Sequence, residues 1–544
     1  MVSMKMKKKA ETKTKAKGKV GVIFHYIKQF KRLNFVIALL ITLDVASTTI
    51  SSIFLAKAFD AIVKMKAQSF IFWTFTVALL WIASNVIQGF RDVWKEKAIQ
   101  KQLNAVRLDI VQALATMDYR SFRKNAREDY NSWLNNDMAI VQEQGFHQVY
   151  FVYEGCIAIL FSAVAVLYFH WILLVIIGLT GLLMFVFPKI FEKSVAEATK
   201  KSSEAAGQAL AVSTDYLKGF EVLYHNNQMN FFTKKIMAGF YRLGAVRVKL
   251  IRTRAYMQYS LNGLRSLSQL VSLSVSAILI FQGKMEVGAI VAVMNLSGPI
   301  VGYATYIGNS LITLQATSQL FDKYPEQVDG HDSNEHLTFE KTIHLKQLSV
   351  QFESGGAISF PDMELKKSGK YAIVGESGSG KSTLIQLLVG NLTDYSGQIL
   401  LDDRDYRTIQ PKGLQEIFSV PSQFPYIFQE SIYENLTLGR VIEQEKVRQA
   451  VQATRADDFL EERLDTVFNA NISGGQQARI SLARELMGVK PILLMDESTA
   501  SLDKETALAV EREILKDPDL TVIVITHHLY DETREYLDEV IRLG

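Results

Sequence analysis

The chain is almost without cysteine. A single Cys156 among 544 residues excludes an intrachain disulfide and any multi-cysteine metal cluster. Its place inside an apolar run predicts inert packing. Proline is also scarce, at nine residues, and 48% of the chain is hydrophobic, a composition that argues against disorder. The net charge of +4 is too small to point to nucleic acid as a partner. The start of the chain is basic, yet no small-residue cleavage site follows it, so a signal peptide is not expected.

What is present is unevenly placed. Residues 1–19 form a lysine-rich tail carrying Lys5, Lys7, Lys8, Lys9, Lys13, Lys15, Lys17 and Lys19. It is expected to stay in the cytosol against anionic membrane lipid, with Val20 to Arg32 as an interfacial helix. Six long apolar segments follow, near 33–57, 69–90, 146–168, 171–191, 257–281 and 286–308. Each approaches or exceeds the about 20 residues that a spanning helix needs. Short turns at Phe169-His170 and at Gln282 to Met285 make two tight hairpins, while Arg91 to Gly145 and Glu192 to Arg254 are long, basic and helical in pattern. The opposite side carries only Lys57, Lys64, Lys66 and Lys284, which places the long loops and both termini in the cytosol. A transmembrane domain is therefore expected over 20–321.

Polar groups within these spans are costly in lipid and call for a bundle interior or a watery path. They are Asp44, Asn85, Gln88, Glu154, Asn262, Arg265, Gln269 and Asn295, with Tyr150, Tyr153, Tyr256, Tyr259, Tyr303 and Tyr306 close by in sequence. Each fits helix–helix hydrogen bonding or an interface anchor as readily as substrate contact. Asp44 or Glu154 could pair with Arg265, and the sequence leaves that choice open.

Residues 322–340 are polar and read as a linker. From 341 to 544 short β-rich runs alternate with helical patterns, which predicts a soluble α/β domain with a largely parallel sheet. Early in it the strand Tyr371-Ala-Ile-Val runs into Gly375-Glu-Ser-Gly-Ser-Gly-Lys-Ser382. Gly375, Gly378 and Gly380 let the backbone N–H groups curl inward, the next helix aims its dipole at the same point, Lys381 reaches β/γ-phosphates, and Ser382 can ligate Mg²⁺. Pro491-Ile-Leu-Leu-Met-Asp-Glu497 reads as a buried parallel strand ending in two carboxylates: Asp496 to help hold Mg²⁺ and Glu497 to polarise water. Ile472-Ser-Gly-Gly-Gln476 opens a helix, with Ser473 and Gln476 spaced either as a capping box or as part of an anion site.

In this order the motifs resemble those of the ABC transporter superfamily, and more closely its exporter-type half-transporters, with six membrane helices fused to one ATPase domain. The resemblance covers nearly the whole chain. Walker A is Gly375 to Ser382, Walker B is Ile492 to Glu497, and the signature is Ile472 to Gln476 with isoleucine where leucine is usual. Ala500-Ser-Leu-Asp503 resembles the D-loop, Thr526-His527 after the strand Leu520 to Ile525 the H-switch, Gln423 the Q-loop, and Phe352 the adenine-stacking aromatic.

The resemblance implies ATP and Mg²⁺ as cofactors and a mechanism in two chains. Phe352 and Gly375, Glu376, Ser377, Gly378, Ser379, Gly380, Lys381, Ser382 and Thr383 of one copy would hold the nucleotide against Ser473, Gly474, Gly475, Gln476 and Asp503 of another. Ser382, Gln423 and Asp496 would serve the metal, and Glu497, His527 and Gln423 the chemistry. Coupling would pass through helices near Tyr119 to Asn136, followed by Trp133-Leu-Asn-Asn-Asp137, and near Thr214 to Gln228, around Gly219-Phe-Glu-Val222. Intact catalytic motifs imply a homodimer, with a heterodimer beside a degenerate partner as the alternative.

Two features depart from the pattern. Val467-Phe-Asn-Ala-Asn-Ile472 lacks the Gly-Glu-Arg-Gly type of sequence often found before the signature, and the chain stops at Gly544, soon after the H-switch. No cysteine-peptidase domain precedes the spans, so leader-peptide cleavage is not expected. The expected function is ATP-driven export of a peptide, drug or other amphipath across a bacterial cytoplasmic membrane. An importer on the same fold, a lipid flippase and an ATP-gated regulator are the alternatives, the last disfavoured by Glu497. No nucleic-acid partner is expected.

Overall fold

The computed structural model describes residues 20–117, 119–123, 127–324, 337–352, 356–376, 378–422, 425–460, 472–488, 490–527 and 529–544. The basic tail, most of the linker, Ser377, Gln423 and the stretch 467–471 lie outside them. The chain divides into two compact units, Met1–Asp329 and Gly330–Gly544, with the division inside the polar linker.

The first unit is helical. Its elements are α1 (Gly21–Gln29), α2 (Lys31–Val63), α3 (Ala67–Ala115), α4 (His147–Phe169), α5 (Trp171–Val186), α6 (Glu192–Lys218), α7 (Met229–Phe281) and α8 (Ala289–Ser318), with short helices between some of them. Among the described residues six helices are long and apolar enough to cross a membrane, which makes this an integral multi-pass membrane protein. The sixth span starts at Ala289, so the turn after α7 runs on to Gly288. Of these helices, α3 has 49 residues and α7 has 53. At about 1.5 Å per residue both run well beyond a hydrocarbon core of about 30 Å. The long polar stretches expected as loops are thus mainly continuations of the spans and, in α6, a partner helix packed on α7.

The structure departs from expectation at two places. The amphipathic segment does not keep its apolar face for lipid: Val22, Ile23 and Tyr26 of α1 are buried in the protein core, and Tyr26 donates a hydrogen bond to Asp109 of α3 at 3.0 Å. The outward side of α1 retains exposed Phe24 and Lys28. Cys156 is exposed on the surface of α4 instead of packed inside, because its position falls on the face opposite buried Gly155 and Ala158.

The second unit is α/β, with two sheets where one largely parallel sheet was expected. One sheet is antiparallel, in the order β2 (Ala357–Ser359), β1 (Thr342–Gln351), β5 (Ser396–Leu401), β6 (Arg404–Asp405), with β3 (Met363–Lys366) also on β1. The other is parallel, in the order β10 (Glu539–Leu543), β4 (Lys370–Gly375), β9 (Thr521–Thr526), β8 (Ile492–Asp496), β7 (Phe418–Ser419). The parallel strands are apolar runs buried on both faces, as β8 and β9 show. The antiparallel strands alternate, and burial in β1 follows that pattern over part of its length. Strand β10 pairs along β4 from Tyr371 to Gly375, at one edge of the sheet that carries the glycine loop.

Candidate functional site

Parallel pairing brings the chemistry to one sheet edge. Strands β4, β9 and β8 are neighbours, with Val374 beside Thr526 and Asp496 beside Ile525, so all three deliver their carboxyl ends together. From β4 the chain enters the glycine loop and then α9 (Lys381–Leu388); from β9 it reaches His527; from β8 it reaches Glu497.

The loop has the shape of a cradle. Gly380 has φ +93°, and a Cβ there would lie 2.8 Å from Ile358 Cγ2 and 3.2 Å from Phe360, so neither the turn nor the space admits a side chain. That contact also brings the β1–β2 hairpin, which carries exposed Phe352, against the loop. Lys381 is buried, and its ammonium donates to the carbonyls of Gly375 at 2.5 Å and Glu376 at 2.9 Å. Its charge is thus held by the loop's own carbonyls, a place where phosphate oxygens can compete. The Ser379 hydroxyl is buried with no hydrogen-bond partner among the described residues. Ser382 is exposed and Thr383 half-buried at the start of α9. An orphaned hydroxyl, a caged ammonium and a helix N-terminus fit a polyphosphate.

At the end of β8, burial and the adjacent Glu497 charge raise Asp496 above the ordinary carboxylate range, with Lys381 pulling the other way. Asp496 is therefore suited to a cation that would offset its charge. Glu497 holds φ +49°, an unusual left-handed conformation for a residue with a side chain, fixed by its N–H on Ile525 O at 3.0 Å. One carboxylate oxygen of Glu497 lies 2.7 Å from His527 Nδ1. The carboxylate is thus aimed by a strained backbone and by an imidazole just past the neighbouring strand β9.

The signature lies apart from the cradle. Ser473 Oγ accepts from Gln476 N at 3.2 Å, and the Gln476 side chain accepts from Ser473 N at 2.9 Å, so the capping box is fully formed on α10 (Gly474–Leu486). This helix start lines a cavity of about 340 Å³ with Arg479, Ser501, Asp503 and Thr506, and no residue of the phosphate loop lines it. Asp503 caps α11 (Lys504–Leu515) by accepting from Thr506 N at 3.0 Å, and that bond holds its carboxyl below the usual range. Ser377 and Gln423 lie outside the described residues.

Three groups in this unit escaped the sequence reading. Glu511 is buried in α11 and accepts from Thr499 Oγ1 at 2.6 Å and Thr533 Oγ1 at 2.8 Å, which ties the turn after Glu497 to the segment after His527. A charged residue in core register between Ala507 and Ile514 was its signal. Arg484 is buried on α10 and donates to the carbonyls of Asn435 and Tyr426. Arg479 donates to Arg455 O at 2.7 Å and stacks 4.7 Å from the Phe459 ring.

In the helical unit the polar residues sort into two sets. Asn262, Arg265 and Asn295 are exposed, and Arg265 lies beside Gly298 with no ion pair among the described residues. The carboxylates instead meet Arg91, at the start of the polar stretch expected as a loop: Arg91 Nη1 lies 2.9 Å from Asp44 and 3.6 Å from Glu154. Asp44 also accepts from Ser84 at 2.5 Å and Gln88 at 3.1 Å, and Tyr303 donates to Glu154 at 3.0 Å. Gly155 permits this last contact, because a Cβ there would meet the Tyr303 ring at 2.7 Å.

Comparison with known proteins matches two family models to this chain. The family described as ABC transporter transmembrane region matches residues 34–303, and that described as ABC transporter matches residues 360–500. A β-(1→2)glucan export ATP-binding/permease protein, NdvA, of Rhizobium meliloti is 28% identical over 333 residues, which is 58% of this chain and 57% of that protein. An ATP-dependent lipid A-core flippase of Francisella tularensis subsp. holarctica is 33% identical over 228 residues, 40% of this chain and 37% of that one. The matched stretches thus span well under two thirds of either relative. A bacterial Atm1-family ABC exporter solved with ATP bound shares the fold, with a TM-score of 0.78, 20% identity, and coverage of 95% of this chain and 94% of that one. With the motif order, the two matched regions and the shared fold in agreement, the chain belongs to the ABC transporter superfamily, with a six-helix transmembrane region preceding one ABC ATPase domain.

Proposed function

We propose that this chain is one half of an ATP-driven exporter of a peptide, drug or other amphipath, working as a homodimer in a bacterial cytoplasmic membrane with both termini on the ATP side. The observation that carries this is the separation of two half-sites. The cradle, Asp496, Glu497 and His527 share one sheet edge, while Ser473, Gly475 and Asp503 line a different cavity. A nucleotide held by the first half-site of one copy would be closed over by the second half-site of another. The relatives' names, a glucan exporter and a lipid A-core flippase, support outward movement of large or amphipathic molecules. The flippase also favours lipid as the second reading of the substrate.

In this reading Lys381 leaves the carbonyls of Gly375 and Glu376 for phosphate oxygens, and Phe352 stacks on the base. Ser382 and Asp496, with Gln423, would hold Mg²⁺, which when bound offsets phosphate charge. Glu497 takes a proton from the attacking water, and His527 keeps that carboxylate aimed. Hydrolysis by the purified full chain in nanodiscs, wild type against Glu497→Gln, tests it. The expected result is turnover by the lone polypeptide and a loss of about 10²-fold or more on substitution. If wild type is inactive alone and gains turnover only beside a co-expressed half-transporter, the homodimer is refuted. If Glu497→Gln hydrolyses like wild type, the catalytic assignment is refuted.

A further inference from the structure

The group around Arg91 holds more negative than positive charge, and its two carboxylates are not equivalent. Asp44 is buried and receives three donors, from Ser84, Gln88 and Arg91, so it is fully used in joining α2 to α3. Glu154 is 24% exposed at its side chain and receives Tyr303 at 3.0 Å and Arg91 only at 3.6 Å, both through the same oxygen. Its second oxygen has no hydrogen bond among the described residues. Counting from Phe169, Glu154 lies 15 residues into α4. That is about 22 Å along the helix, inside a hydrocarbon core of about 30 Å.

Pure helix–helix cement in lipid favours complete pairing, since an unbalanced charge there is costly. Asp44 meets that condition and Glu154 does not. The tyrosine that meets Glu154 belongs to an aromatic group. Phe151 lies 5.5 Å from the Tyr303 ring and 6.0 Å from the Tyr306 ring, and Tyr306 is 53% exposed. Aromatic faces beside a carboxylate attract organic cations, and this carboxylate already faces one cation inside the molecule, the guanidinium of Arg91 at 3.6 Å.

We propose that Glu154, with Tyr303, Phe151 and Tyr306, is a recognition point for organic-cation amphipaths on the transport path, and that Arg91 is the resident cation they displace. The incoming cation pairs with Glu154, and Arg91 stays with Asp44, which binds it at the shorter distance. Displacement removes one of the links from α3 to α4 and leaves the Gln102–Tyr150 hydrogen bond at 2.9 Å, so cation arrival loosens the contact between the α2–α3 pair and the α4–α8 pair at the level of Glu154. This rests on the transporter reading above and narrows its substrate class.

The test is equilibrium binding of radiolabelled tetraphenylphosphonium to the purified full chain in nanodiscs without ATP. Wild type is expected to bind it saturably, with neutral triphenylphosphine oxide a poor competitor. Glu154→Gln is expected to weaken binding about tenfold or more, and Glu154→Asp to restore most of it, since charge and not shape is the recognised property. No saturable binding to wild type, equal competition by the neutral compound, or unchanged affinity in Glu154→Gln would each overturn the proposal. Should Glu154→Gln not fold, Tyr306→Ala serves in its place: weaker cation binding supports the site and unchanged binding overturns it. Because binding is read without ATP, its failure is distinct from failure of the transporter reading, which the Glu497→Gln turnover assay decides in the same preparation.

Discussion

The backbone at Glu497 offers a direct test of strain held for function. Its φ of +49° puts a side-chain-bearing residue in the left-handed region, which costs roughly 1–2 kcal/mol relative to a relaxed backbone. Glycine avoids that cost but loses about 0.5–1 kcal/mol more chain entropy on folding than alanine. Glu497→Ala and Glu497→Gly both remove the 2.7 Å contact with His527, so the difference between them isolates the backbone term. Glu497→Gly is therefore expected to be the more stable of the two by about 0.5–1 kcal/mol, or about 1–4 °C in the melting of a domain of this size. Differential scanning fluorimetry of the full chain without nucleotide reads the difference. On the role proposed for Glu497, both variants should lose ATP turnover by about 10²-fold or more, because each lacks the carboxylate assigned as proton acceptor. Equal melting temperatures, or a more stable alanine variant, would show that the left-handed backbone at this carboxylate is not a stored cost.

Further outcomes follow from other contacts. Asp496 has its pKa raised in the fold by burial and by Glu497, so its folded-state stability is fully present below the unfolded carboxylate pKa and is lost as pH rises through the raised value. Asp496→Asn should accordingly melt higher than wild type at pH 7 without nucleotide or Mg²⁺, with the gap closing as pH falls toward 4; a gap that widens on acidification refutes this. Gly155→Ala places a methyl 2.7 Å from the Tyr303 ring and should cost about 1–3 kcal/mol of stability, read as a lower melting temperature in nanodiscs. Tyr26→Phe removes the hydroxyl from buried Asp109 and should cost about 1–3 kcal/mol, whereas Phe24→Ala on the exposed side of α1 should cost far less.

What the sequence determined by itself was whatever is written in short, local patterns. The six spans announced themselves by length and apolarity, because a lone apolar segment in lipid can satisfy its backbone groups only as a continuous helix. Strands β4, β8 and β9 were legible as apolar runs ending in glycine, carboxylate or Thr-His, since a parallel strand buried on both faces needs no alternation. The capping box was legible because its partners are three residues apart.

Tertiary structure decided everything that depends on residues far apart in sequence. It split the strands into two sheets, because β1 pairs with β2, β3 and β5 through contacts that no local pattern encodes. It drew the face of α1 into the protein, since Asp109 lies 83 residues from Tyr26. It gave Asp44 and Glu154 the cation Arg91 and left Arg265 aside, because α3 continues through the apparent end of its apolar run and carries Arg91 back against α2 and α4. Sequence hydropathy marks where a span loses its apolar character, but only packing shows where a long arginine finds its partner.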